Sequence, residues 1–299
     1  MDEYMRKMFA VPLAVLAMAF AACEKGYDAD YDGEGEVEEE GSIKVTFNVV
    51  SVDQVSFGDT TYSTRATGIG ELCTRIDFAA FSESDVKTSV NQTSDDDDFG
   101  TLSVSLTEGT YQIVIIAHSG TGSATISSAD EIKFSNNKVT DTFYYYAELD
   151  VTESGSYDIT LTRAVAMFRL IVTDSTPEDV TQMEFYYTGG SSTFDATTGF
   201  GCVQSRQTED RDVESSAYEG ESVYEVYTFP HETDDVLKMT VTALDASGDD
   251  YLERVFTDVP VTVNTITQYT GVFFEQGEEQ SATFALTTDS EWSTEDYTY

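Results

Sequence analysis

Residues 101–118 read "TLSVSLTEGTYQIVIIAH", and this stretch decides the fold. In its first part Leu102, Val104 and Leu106 alternate with Thr101, Ser103 and Ser105. A two-residue period places the apolar side chains on one face of a strand. "TEGT" then supplies a turn. "YQIVIIAH" is apolar on both faces, as expected of a central strand covered on both sides. The same signature recurs in both directions along the chain. Upstream, "IKVTFNVV" places Ile43, Val45, Phe47 and Val49 together, and "RIDFAAF" groups Ile76, Phe78 and Ala80. Downstream come "EIKFS", "TFYYYAEL" and "YDITLTR", separated by the turn clusters "HSGTGS", "SNN" and "TESGS". A second series opens at "AVAMFRLIVTD" and continues through "MEFYYTGG", "YEVYTF", "LKMTVTALD", "ERVFTDVPVTV" and "TITQYTGVFF". Past the N-terminal region no segment holds a sustained helical apolar period. Two series of about seven strands predict an all-β protein with two sandwich domains, over residues 42–165 and 166–278. The joint at 163–167 lacks flexible-linker composition, so close packing of the halves is expected. Residues 279–299 form a tail with one further strand signal around Ala282 to Leu286 and the single tryptophan, Trp292.

The N-terminus sets the context. Arg6 and Lys7 precede the apolar run "MFAVPLAVLAMAFAA", which is shorter than the roughly 20 residues that span a bilayer. A basic start, a short apolar run and small residues before a cleavage point make a secretory signal over residues 1–22. The run ends in "FAAC", and small residues directly before Cys23 resemble a lipobox. The reading is a lipoprotein signal peptide, with Cys23 as the lipidated first residue of the mature chain. Several acyl chains on one residue anchor a protein firmly. Residues 23–41 follow as an acidic tether. Within it Asp28, Asp30, Asp32, Gly33 and Glu39 occupy positions 1, 3, 5, 6 and 12 of an EF-hand loop. That loop needs a helix on each side, whereas a strand follows here, and Gly35 stands where an aliphatic residue is required. The solvated-tether reading is therefore favoured, and no metal site is assigned.

Composition excludes some partners and narrows the chemistry. Fifteen Lys and Arg against 56 Asp and Glu give a formal charge of −41, which repels nucleic-acid phosphates and anionic headgroups. The 40% hydrophobic content and 18 each of Tyr and Phe supply a β-type core and argue against disorder. Only two histidines, His118 and His231, are present; no G-x-S-x-G or H-E-x-x-H occurs, and no local catalytic motif surrounds any serine. His118 reads as a strand-end residue with a hydrogen-bonded ring. No catalytic residue and no cofactor are assigned. Cys73 and Cys202 fall in different predicted domains and read as two buried free thiols, with a disulfide as the alternative. "GGSSTFDATTGFG", residues 189–201, lacks the lysine of a phosphate loop and reads as a long hairpin or exposed loop. Tyr144 to Tyr146 read as a strand with rings on both faces, or else as a sugar-stacking platform.

The lipobox, "TRATGIGELCTRIDFAAF", "LTEGTYQIVIIAH", "LTRAVAMFRLIV" and "FTDVPVTVNTITQYTGVFF" together resemble the fimbrillin superfamily of Bacteroidetes, whose members build type V fimbriae. "CTRIDFAAFSESDVK" is most similar to its anchor and minor-subunit branch. The resemblance covers most of residues 40–275. It implies two tandem transthyretin-like β-sandwiches and assembly by β-strand exchange between subunits. It also implies arginine-specific processing in stalk subunits, for which Arg65 in "STRATG" is the matching candidate site, with a surface-loop charge as the alternative reading. Such a cut would remove Cys23 together with the first strand, and an anchor subunit would keep both. The tail around Phe284 matches a donor or closing strand. The acidic segment after Cys23 is similar to that of surface-exported lipoproteins, which implies the outer face of the outer membrane. The expected function is that of a lipid-anchored fimbrial subunit of anchor or accessory type, serving cell adhesion. Its expected partners are other fimbrial subunits, the outer membrane, and a host or bacterial receptor met by the fimbria. A surface glycan-binding lipoprotein without catalytic activity is the alternative.

Overall fold

In a computed structural model, the structure describes residues 41–52, 68–82, 87–213, 221–275 and, as backbone, 285–289. The first half contains β1 (Ile43–Val52), a single helical turn α1 (Ile69–Leu72), β2 (Arg75–Ser82), β3 (Lys87–Thr93), β4 (Thr101–Leu106) and β5 (Gly109–His118). It continues through β6 (Thr125–Ser128), β7 (Glu131–Lys133), β8 (Thr142–Val151) and β9 (Gly155–Arg163). The second half contains β10 (Ala166–Val172), β11 (Val180–Thr188), β12 (Thr193–Asp195), β13 (Phe200–Gly201) and β14 (Arg206–Asp212). β15 (Ser222–Thr228), β16 (Asp235–Asp245), β17 (Asp250–Val261), β18 (Ile266–Gly271) and β19 (Ala285–Asp289) complete it.

The apolar period folds the first half into a sandwich. β4-β1-β9 covers β3-β2-β5-β8, and a short pairing of Phe143 with Arg163 and Tyr144 with Thr162 joins the two layers at β8 and β9. Val45, Phe47, Leu102, Val104 and Leu161 meet Ile76, Phe78, Ile113, Ile115 and Phe143 in the first core. The Phe47 and Phe78 ring centroids lie 5.2 Å apart. In the second half β15-β10-β18-β19 faces β14-β11-β16-β17 across a core built on Phe168, Leu170, Phe185, Tyr187, Met239 and Phe256. The halves repeat one topology. β1 and β10 each lie between an antiparallel neighbour (β4, β15) and a parallel one (β9, β18). β3-β2-β5-β8 and β14-β11-β16-β17 correspond strand for strand in chain order.

Each half carries one inserted hairpin, and the two hairpins pair with each other. β6–β7 lies between β5 and β8, β12–β13 lies between β11 and β14, and Ile132 is paired with Phe194 where β7 meets β12. Beneath this four-stranded bridge lies a third core, formed by Ala79, Val114, Ile116, Ile126, Ile132, Phe134, Phe194 and Phe229. It explains the two-faced apolarity of β5: Ile113 and Ile115 face the first core, Val114 and Ile116 the third. Residues 189–201 are thus a hairpin, and Ser191 through Phe194 are buried rather than exposed. The turn into it needs Gly189, whose φ is +101° and where a Cβ would sit 2.4 Å from the Val236 carbonyl oxygen. The tail strand is displaced from its expected position at 282–286 to Ala285–Asp289, antiparallel on β18.

At the joint between the halves the chain turns on Arg163, which is 1% exposed. Its guanidinium donates to both Asp141 oxygens at 2.7 and 2.9 Å and to Asn264 Oδ1 at 3.2 Å, and it lies 4.6 Å from the Phe143 ring centroid. Asn264 in turn donates its backbone N–H to the Val165 carbonyl at 2.8 Å. One buried cation therefore ties strand ends of both halves together.

Candidate functional site

The first strand is the element on which an assembly function would act. β1 is the middle strand of its layer, antiparallel to β4 from Ile43 to Asn48 and parallel to β9 from Val45 to Val52. Val45 and Phe47 are buried, and Ile43 and Val49 pack part-buried against the same core. A register shift between Val49 and Ser51 then changes the phase of the strand, leaving Val50 exposed and turning Val52 inward. Fully burying a Val or Phe contributes about 1.5–3 kcal/mol. The solvent face carries a polar ladder: Thr46 with Ser103 at 3.1 Å, Asn48 Nδ2 to Ser156 at 2.9 Å, and Ser51 with Thr160 at 2.8 Å. Without β1, β4 and β9 would flank a slot lined by the first core and edged by unpaired backbone groups.

At the other end of the chain, the departure of the tail is fixed by a carboxylate. Asp174 accepts the backbone N–H groups of Phe273, Phe274 and Glu275 at 2.7, 2.6 and 2.9 Å. Arg254 Nη2 donates to the Phe273 carbonyl at 2.8 Å. With Phe273 held on both sides and its ring buried in the second core, the chain leaves the sandwich beside β18, the strand that β19 later joins. Composition alone gave no sign of this clamp, because its two halves lie 99 residues apart in sequence.

The remaining candidate residues are placed as follows. Cys23, Asp28–Glu39, Arg65, Phe284 and Trp292 lie outside the described residues. The His118 ring is buried; Gly120 N–H donates to its Nδ1 at 3.1 Å, so Nε2 carries the proton and donates to Asp77 Oδ2 at 3.2 Å. Asp77 Oδ2 also accepts Ala124 N–H at 2.8 Å, which holds the loop entering the bridge. His231 bonds Asp235 at 3.0 Å and the Val203 carbonyl at 3.0 Å. Tyr144 packs edge-on against Phe194 at 4.9 Å and Tyr145 packs on the first core, so the tyrosine run has rings on both faces of its strand. Cys73 and Cys202 are both free. Burial, with the Asp141 carboxylate adding to it, pushes the Cys73 thiol far above its ordinary range. Cys202 is exposed, contrary to the expectation of two buried thiols, because it follows β13 at the start of a surface turn. Among the described residues no His, Cys, Asp or Glu group is arranged to hold a metal ion.

The family described as fimbrillin-A associated anchor proteins Mfa1 and Mfa2 matches residues 36–284. The chain belongs to this family. For this Mfa2-type chain the matched span takes in β1 and Arg65, begins after Cys23 and stops before β19. Among solved structures, a provisional adhesin from Bacteroides ovatus is 13% identical, with a TM-score of 0.48 over 73% of this chain and 82% of that one. The fimbrial anchor protein Mfa2 from Porphyromonas gingivalis is 10% identical, with a TM-score of 0.44 over 83% and 98%. A fimbrial assembly protein from Parabacteroides distasonis is 12% identical, with a TM-score of 0.42 over 83% and 99%. These likenesses are distant, and the family match alone carries the functional reading. No curated protein matches the chain. Mfa2-type proteins are fimbrial anchors rather than an enzyme family, which associates this chain with fimbriae and their subunits.

Proposed function

We propose that this protein is a lipid-anchored fimbrial subunit of anchor or accessory type, held in the outer membrane through Cys23 and joined to other subunits by β-strand exchange. The family match over residues 36–284 carries the reading. The exchange step is supported by the position of β1, which has a dry face of Val45 and Phe47 and a neighbour on each side. Replacing it with a strand of the same pattern would restore both the core contacts and the ladder. An anchor that keeps β1 stays tied through its own first strand to the lipid at Cys23, whereas cleavage after Arg65 would release the two together. The domains of the proposal are the signal at 1–22, the tether at 23–41, sandwiches at 42–165 and 166–278, and the tail at 279–299 as a donor or closing strand. Tyr144 is engaged by Phe194, so the sugar platform on which a glycan-binding role would lean is partly occupied within the fold. A Cys23→Ser variant tests the anchoring. It is expected to move from the detergent-extracted membrane fraction to the soluble fraction; equal retention in membranes would contradict the proposal.

A further inference from the structure

The duplicated topology makes the two halves controls for each other, and their outer edges differ. In the second half part of the free edge of β15 is covered from the facing layer. The Glu225 carbonyl accepts Arg211 Nε at 3.2 Å and Nη2 at 2.9 Å, and the Tyr227 carbonyl accepts the Tyr187 hydroxyl at 3.0 Å. Phe229 exchanges two hydrogen bonds with Ser191, at 3.1 and 3.2 Å. The corresponding edge in the first half belongs to β4. Val49 N–H donates to the Gly100 carbonyl at 2.8 Å, and this sets the phase of the ladder. Leu102, Val104 and Leu106 therefore turn their backbone groups toward β1, while Thr101, Ser103 and Ser105 turn theirs away. Thr101 is satisfied by the Asp98 carbonyl at 2.7 Å and by Gln92 Nε2 at 2.9 Å. Ser103 and Ser105 are exposed, and among the described residues no strand pairs with their outward N–H and C=O groups.

β4 also lacks the usual protection of an edge. Of the described edge strands longer than four residues, it alone carries neither a charge nor a proline. β3 has Lys87, β14 is charged along its length, β15 has Glu225, β17 has several charges and Pro260, and β19 has Asp289. Its two ends, by contrast, are acidic: exposed Asp95–Asp98 precede it and exposed Glu108 follows it. Lys44, paired with Ser105, is the one cation on the adjoining strand. A second copy of the chain would bring acid against acid, so the charge selects a different occupant.

We propose that the outer edge of β4 is a strand-docking site for an extended segment of a partner protein, uncharged over the Leu102–Ser105 span and flanked by Lys or Arg. The added strand would pair with Ser103 and Ser105, and its basic flanks would meet Asp95–Asp98 and Glu108. This site is separate from the slot of β1 and does not depend on the anchoring or exchange proposed above.

The test uses full-length protein in detergent and a peptide of alternating valine and threonine with a lysine pair at each end. The peptide is expected to bind, and to slow amide exchange at Ser103 and Ser105 while leaving Val104, already bonded to β1, unchanged. A glutamate-flanked version is expected to bind about tenfold more weakly at low salt. Ser103→Pro removes an outward N–H without touching the β1 ladder and is expected to abolish binding. Ser105→Lys adds a charge to the edge and serves as the second variant if the proline variant does not fold. Absence of binding, protection elsewhere, or unchanged binding by the folded variants would overturn the proposal. A peptide-free dimer with Ser103 and Ser105 protected would overturn the choice of occupant.

Discussion

Arg163 shows how much of the design rests on single polar residues. A guanidinium this deeply buried is tolerated because Asp141, Asn264 and the Phe143 ring surround it. Removing it leaves the Asp141 carboxylate at the joint without its main partner. Asp141 keeps some solvent contact, its side chain being 14% exposed, so the lower end of the usual penalty applies. Arg163→Ala is expected to lower unfolding stability by about 3 kcal/mol in urea titration, with the lost contacts spanning both halves. A loss at the surface-substitution level, under about 0.5 kcal/mol, would mean the joint is not held this way. Sequence reading at this scale was uneven for a physical reason. His118 was legible because a polar residue ending an apolar run must find a partner for its ring. The Cys202 environment was not, because exposure depends on where a hairpin ends in space, and Asp174 looked like any other acid until its three backbone partners were seen.

Elements with five or more alternating residues were readable, since a half-buried strand imposes its period on the sequence. β1, β2 and β4 stand where the alternation put them, and β5 stands where its two-faced apolar run put it. The phase change near Val50 was hidden, because a bulge breaks the period with one residue. The bridging sheet was hidden for another reason: "EIKFS" marks β7 and residues 189–201 read as a hairpin, but strands of two or three residues carry no period that shows what they pair with. Pairing of Ile132 with Phe194 is also remote in sequence, so nothing local announces it. α1 likewise is a single turn. Phe194 anchors the bridge, fully buried between Tyr144 at 4.9 Å and Phe229 at 5.0 Å. Phe194→Ala is expected to cost about 3–5 kcal/mol and to speed amide exchange at Ile132 ahead of the strands of the first core. Unchanged exchange there would show that the third core does not hold the hairpins together.

For the molecule as a whole, the all-β class and the two strand series were legible, and the third core that unites them was not. Two sandwiches of one type were expected, but the strand-for-strand correspondence of the halves was not legible, because topology repeats while sequence does not: "IKVTFNVV" and "AMFRLIV" share only an apolar period. A charge of −41 repels copies of the chain, so in the proposed reading contacts with fimbrial partners come from strand edges and complementary charge. The central claim is that this chain keeps its first strand and its lipid while other subunits attach to it. Mass analysis of the N-terminus, on protein taken separately from membranes and from sheared fibres, tests it most directly. The account predicts a chain that begins at acylated Cys23 in both fractions. A mature protein that begins at Ala66 would contradict it, and would make the chain a polymerising subunit instead of an anchor.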